Sequence, residues 1–275
     1  MSTNYGRCNI CSTRARLTED HVPPRGSWDP THTSRVWVQK LIPKLKPPDK
    51  RIRRLSQNGL KFRTLCASCN NDLLGLSYDP ALHQFSRKVG QIMRVGRRLT
   101  LPGHIDVDIQ PANVARAVMG HLLAAELRAD MALHPSSAPM QQSMRDYVLD
   151  STLDLPPNLR VFVWPYWGKR QVVLRGVGVL FDLGVVSPLR MLVGDFLKYL
   201  PLAFMVTYDP PQPVPQKFAR FELEARGHQV GQVVKHSVPT RMSDSLRPSW
   251  PESPNVSDAL MLNDDVCITA DMDEP

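Results

Sequence analysis

No stretch of this chain is apolar for long enough to cross a bilayer as a helix. The most apolar run, FLKYLPLAFMV (196–206), is interrupted by Lys198 and Pro201 and falls short of the roughly 20 residues a span requires. The amino-terminal MSTNYGRCNI lacks the apolar core of a secretory leader. Cysteine is scarce, with five in 275 residues, which argues against a disulfide framework. No internal repeat is present, and residues 104–245 contain no motif with readable chemistry. These absences set the expectation of a soluble, cytoplasmic protein with no membrane partner. At 42% hydrophobic the chain is not a disordered one, and its length allows one large or two modest cored domains.

Charge is missing selectively. From Glu252 onward there are seven acids and no Lys or Arg, so this tail contributes −7 to a net charge of +8 and the remainder carries +15. Between Arg35 and Arg63 the imbalance is reversed, with ten basic residues and the single acid Asp49. A basic body of this kind favours a polyanionic partner, most often nucleic acid.

The spacing of the remaining residues divides the chain into three. Residues 1–95 hold the paired cysteines and the basic run KLKPPDKRIRR (44–54), where Pro47 and Pro48 exclude a continuous helix and predict an inserted loop. GLKFRT (59–64) alternates as a short strand. Helical spacing begins at Asn70, and Asp79-Pro80 read as N-cap and first residue of a second helix ending near Val95. After a hinge near RRLTLPGH, residues 104–245 read as an α+β domain. PANVARAVMGHLLAAELRAD (111–130) has the period of an amphipathic helix and SMRDYVLD closes another. RVFVWPYW, RQVVLRGVGVLFDL and PLAFMVTYD have strand composition. Residues 246–275, proline-rich and then acidic, are expected to form a mobile or partner-docking tail.

The cysteines form two pairs, CNIC (8–11) and CASC (66–69). A two-residue gap lets both sulfurs of a pair reach one ion, so Cys8, Cys11, Cys66 and Cys69 predict a tetrahedral zinc site. Four thiolates leave no open coordination position, and the zinc is therefore structural. Cys267 in the tail reads as a free thiol.

Between the pairs stands LTEDHVPPRG (17–26), an acid and a histidine followed by two prolines. CxxC, a strand ending in Asp-His, a long loop and a CxxC with a polar residue directly after it resemble the zinc-stapled HNH nuclease family over residues 8 to about 76. The resemblance implies a ββα-metal module gripping one divalent cation, Mg²⁺ or Mn²⁺. It implies His21 as general base, Asp20 as one metal ligand and Asn70 as the second, with Asn71 and Asp72 as neighbouring alternatives. Asn58 is the best counterpart of the asparagine that supports the base. The expected activity is hydrolysis of double-stranded DNA to 5′-phosphate and 3′-hydroxyl ends. Such modules fused to a further domain serve in restriction and antiviral defence, and the second domain is left with sequence recognition, homodimerisation, a defence-system partner or ligand sensing as its role.

The chemistry agrees with those residue types. Phosphodiester hydrolysis needs a base for water and a cation for the developing phosphorane charge. An imidazole is available as a base near pH 7, and oxygen ligands suit a hard cation. Pro23 and Pro24 restrict the backbone after His21. Lys50, Arg51, Arg53, Arg54, Lys61 and Arg63 are the expected phosphate contacts. His32 is an auxiliary ligand candidate; His83 and His121 are demoted, His121 because its apolar helix suits a packed core histidine. Trp164 and Trp167 are assigned to packing ahead of base stacking. Two rival functions remain: a non-catalytic zinc module that binds nucleic acid, and a nuclease acting on RNA.

Overall fold

The computed structural model describes residues 4–24, 32–34, 55–57, 61–96, 102–126, 138–168, 170–181, 190–208, 216–240, 250–251, 259–262 and 267–271. The fold is mixed α+β. Near the amino terminus, β1 (Tyr5–Arg7), β2 (Arg14–His21) and β5 (Lys61–Cys66) form an antiparallel sheet in the order β1-β2-β5. Within the insertion, β3 (His32–Ser34) pairs with β4 (Leu55–Gln57), so part of the expected loop is a two-stranded ribbon.

The chain leaves β5 directly into a helix. Ser68–Tyr78 is π-helical and continues without a break into α1 (Asp79–Gly96). The Asp79 N–H bonds back to the Leu74 carbonyl, five residues earlier, and Asp79 itself has helical φ and ψ. Asp79 is therefore not the N-cap its sequence suggested. Pro80 contributes no N–H at this junction, where the wide ladder gives way to the α ladder. The Asp79 carboxylate is committed elsewhere, as described below.

β6 (His104–Ile109) follows, with the strict exposed-buried alternation of HIDVDI, and pairs with β11 (Val234–Pro239). Next comes α2 (Pro111–Ala124), the helix read from sequence as amphipathic. Every one of its residues is buried. It touches α1, α3 (Ala138–Leu149), the π-helical segment, β2, β5 and β9 (Arg190–Tyr199). A helix enclosed on all sides has no solvent face to mark with charge, and the abundance of Ala lets neighbours approach it closely. A Cβ on Gly120 would lie 2.4 Å from the Leu74 side chain, so glycine is what lets the π-helical segment reach α2.

The larger sheet follows the strand composition read from sequence. β7 (Leu159–Pro165), β8 (Arg170–Phe181), β9 and β10 (Leu202–Tyr208) are joined in the order β8-β9-β10-β7, all antiparallel. Its second face carries an aromatic cluster of Phe162, Trp164, Tyr166, Phe196, Phe218 and Trp250 beside the short α4 (Gln216–Ala219). Trp164 is thus a packing residue, and the half-buried Trp167 rests on the main core. β12 (Ala259–Leu262) and β13 (Cys267–Asp271) both pair with β8. These two stretches of the expected mobile tail are strands, because β8 is long enough to template both.

The main core does not respect the boundary expected near residue 100. One hydrophobic cluster contains Cys8, Phe62, Leu74, Val118, Leu122, Val163, Leu197 and Val238. The first 95 residues and those after 104 share it.

Polar contacts join the same parts. Thr64 Oγ1 donates to Ala124 O at 2.6 Å, and Asn9 Nδ2 donates to Leu123 O and Glu126 O at 2.9 and 2.7 Å. Arg175, aimed by an irregularity in β8, donates to Leu122 O and pairs with buried Asp195. The carbonyls that a helix end leaves without partners are met here by side chains from three directions. Asn9→Ala removes a donor from two buried carbonyls and is expected to cost about 2–3 kcal/mol. Urea unfolding followed by circular dichroism measures it, with zinc content unchanged.

Candidate metal centre and the buried Asp-His-Asp bridge

The first cysteine pair sits on the turn between β1 and β2. Cys8 N bonds to Thr13 O and Ser12 N to Cys8 O, both at 2.9 Å, and Ser12 takes φ of 61° to close the turn. The second pair spans the end of β5 and the start of the π-helical segment. Register brings them together, since Leu17 on β2 lies opposite Cys66 on β5. The four Sγ atoms lie within 4.8 Å of one another, and Cys8, Cys66 and Cys69 are buried. Cys11 and Cys66 sulfurs are 3.7 Å apart.

The thiols constrain one another. A hydrogen bond from Cys69 draws the Cys8 thiol far below its ordinary value, while the same bond and then burial push Cys69 up. Burial raises Cys66 as well. Four thiolates in this volume need a cation to offset their charge, and a soft tetrahedral ion fits the donor set. The cluster can hold a structural zinc. All four ligands predicted from sequence are brought together.

The Asp20-His21 pair ends β2, with Asp20 opposite Phe62 and His21 opposite Lys61. Alternation along the strand separates the two side chains: Asp20 is 4% exposed, whereas His21 is half-buried. Val22, Pro23 and Pro24, immediately after, are buried and fix the exit of the strand. Asn70 lies on the helix after the last cysteine. Its Nδ2 donates to Thr18 Oγ1 at 2.9 Å and to Glu19 O at 3.0 Å. Asn70 is therefore docked on the strand that carries Asp20 and His21, while Asn71 and Asp72 are exposed. Arg63 is paired with Glu19 at 2.6 Å, and Lys61 is half-buried. Asn58, Lys50, Arg51, Arg53 and Arg54 lie outside the described residues, as does the side chain of His32.

Asp20 has a partner that sequence reasoning passed over. Its Oδ2 is 3.0 Å from His121 Nδ1, and His121 Nε2 is 2.9 Å from Asp79 Oδ1. The imidazole is fully buried within α2, between β2 on one side and α1 on the other. Burial by itself would drive the proton off, but the two carboxylates outweigh it and hold the pKa up at about 10. His121 is a core histidine, as read from its apolar helix, but a charged one. A lone histidine in an Ala-rich helix was the available signal; its two acidic partners, 101 and 42 residues away, left no local mark.

No protein-family model, curated protein or solved structure matches the chain.

The metal centre predicts one tightly held zinc per chain by elemental analysis, and Cys66→Ser is expected to lose the metal and to melt at a lower temperature. The bridge predicts a pH dependence. An unfolded histidine titrates near 6.5, so the folded-state pKa is the higher one. The bridge's stabilisation is complete below about 6.5 and is lost as pH rises through about 10. His121→Ala leaves two buried carboxylates without their cation and is expected to cost about 3–5 kcal/mol near neutrality. Urea unfolding from pH 6 to 10 should show the parent's stability falling towards that of the variant.

Proposed function

We propose that the protein is a metal-dependent endonuclease of the zinc-stapled HNH kind, acting on double-stranded DNA. One observation carries the reading: the cysteine cluster pins the start of the helix so that Asn70 docks beside the strand ending in Asp20 and His21. Two antiparallel strands, β2 and β5, running into a helix supply the ββα frame in which such a pair and such an asparagine work together.

In this reading His21 takes the proton from the attacking water. Its backbone is held by the end of β2 and by the buried Val22-Pro23-Pro24 segment. Asn70 and Asp20 would hold Mg²⁺ or Mn²⁺, Asp20 through the oxygen that His121 does not engage. The cation, when bound, offsets charge on the phosphorane. Lys61 lies opposite His21 on β5 and adds positive charge there, while Arg63, two residues along the strand, is paired with Glu19. A defence or restriction role follows only from the company such modules keep.

A second reading has an observation of its own. Asp20 is buried and engaged by His121, as it would be in a zinc module that binds nucleic acid without cutting it. Incubating the protein with plasmid or RNA in Mg²⁺, Mn²⁺ or EDTA separates the readings: metal-dependent plasmid nicking supports the first, cutting of RNA alone changes the substrate, and binding without cutting leaves the second.

Within the nuclease reading, His21→Ala is expected to lower cleavage by at least about 100-fold while zinc content and melting temperature stay at parental values. Asp20→Asn keeps an acceptor for His121, so it should fold, and its lost cleavage should return in part at high Mn²⁺. Recovery of His21→Ala under the same conditions would remove the base assignment.

A further inference from the structure

On the hairpin that carries the first cysteine pair, Tyr5 lies directly opposite Arg16 and Arg7 directly opposite Arg14. Opposed residues share a face of the sheet, with Cβ atoms about 4.5–5.5 Å apart. All four side chains are exposed, Tyr5 at 69%. The other face of the hairpin is turned inward: Ala15 and Leu17 rest on the core, and a Cβ on Gly6 would lie 2.6 Å from Leu17 Cδ1. The outer face therefore cannot be exchanged for the inner one.

Like charges directly opposite each other destabilise a sheet, and among the described residues no acid is paired with Arg7, Arg14 or Arg16. Among the described residues, the side chains of Arg14 and Arg16 make no hydrogen bond or ion pair, and Arg7 Nε donates to the Ser12 carbonyl at 3.2 Å. Glu19, the acid nearest them on the same strand, is paired with Arg63 at 2.6 Å. Behind the hairpin, Arg145 of α3 donates to Asn9 O and adds a further cation. The backbone is held by the closed knuckle turn and the cysteine cluster, so the arginines cannot move apart by strand slippage.

We infer that Tyr5, Arg7, Arg14 and Arg16 form a binding surface for the phosphate backbone of duplex DNA. Guanidinium groups present paired donors that match phosphate oxygens, and a tyrosine hydroxyl serves the same backbone. Residues two apart on a strand are about 6.7 Å apart, so the face offers an array of cations instead of a single anion pocket. Duplex DNA is the committed partner because the body of the chain carries +15 outside its acidic tail, and an extended array of cations matches a polyanion's repeated phosphates. The inference extends the nuclease reading but needs only binding, not cleavage.

The test is fluorescence anisotropy of a labelled duplex in EDTA across a salt series, with the parent and an Arg7→Gln, Arg14→Gln, Arg16→Gln variant. Loss of three phosphate contacts is expected to reduce the log–log salt slope by about 2–3 and to weaken binding at least tenfold at low salt. Zinc content should be unchanged, and the variant should melt no lower than the parent, since repulsion has been removed. A parental slope in the variant overturns the surface and leaves the nuclease reading intact. A parent that binds duplex but does not cut it in Mn²⁺ ends the nuclease reading and leaves the surface intact. A parent that binds no duplex overturns the surface. So does a variant that loses binding to anionic vesicles while keeping its hold on DNA.

Discussion

His121 sits inside α2 with both ring nitrogens engaged, and three elements that the chain places far apart meet at that ring. β2 contributes Asp20, the start of α1 contributes Asp79, and α2 contributes the imidazolium. A buried ion pair is weak evidence for net stability, because desolvation consumes much of the attraction. Its effect here is on geometry. Apolar surfaces can slide past one another at little cost, but a cation with two directed donors fixes where each carboxylate must lie. The bridge therefore sets the end of β2 and the entry to α1 against the same turn of α2.

The zinc-type cluster sets the other end of that arrangement. Its knuckle residues Cys8 and Cys66 flank Asn9 and Thr64, and these two side chains bond to the last carbonyls of α2. The metal centre thus does more than close a small module on itself. It presents polar groups at a fixed spacing to a helix that begins beyond residue 104, and the shared core follows from that contact. A module divided from its neighbour at residue 95 would leave α2 without its carboxy-terminal partners and the knuckle without its load.

What the sequence shows and what it hides differ by the range of the interaction. The cysteine ligands were legible because metal chemistry imposes a local spacing on each pair. The strands of the larger sheet were legible from Val, Phe and Trp composition, and α2 from its period. The depth of α2 was not, since an Ala-rich helix reads alike whether one face or every face is covered. Asp79 followed by Pro80 had the form of a helix cap, yet the helix runs through it and the carboxylate turns to His121. β6 and β11 were overlooked although HIDVDI alternates strictly, because a two-stranded ribbon offers few residues to any pattern. The partners of Asp20 and His121 could not be read at all: the ion pair spans 101 residues and depends on the fold that it helps to fix.

Adjacent residues on a strand face opposite ways, and this constraint gives Asp20 and His21 their separate environments. β2 begins with exposed Arg14 and Arg16 and, past an irregularity between Thr18 and Asp20, ends with buried Asp20, which meets α2 at His121. Ala15 and Leu17 rest on the core near the start of the strand, whereas near its end Glu19 is exposed and His21 half-buried. One strand therefore carries an anchor and a reactive candidate side by side, with the anchor's carboxylate held by a charged imidazole. His21 keeps some contact with water, whereas Asp20 is held away from it against the charged imidazole. Neighbouring residues on one strand supply both, and Asn70, bonded to the Glu19 carbonyl just before Asp20, meets that junction from the helix side.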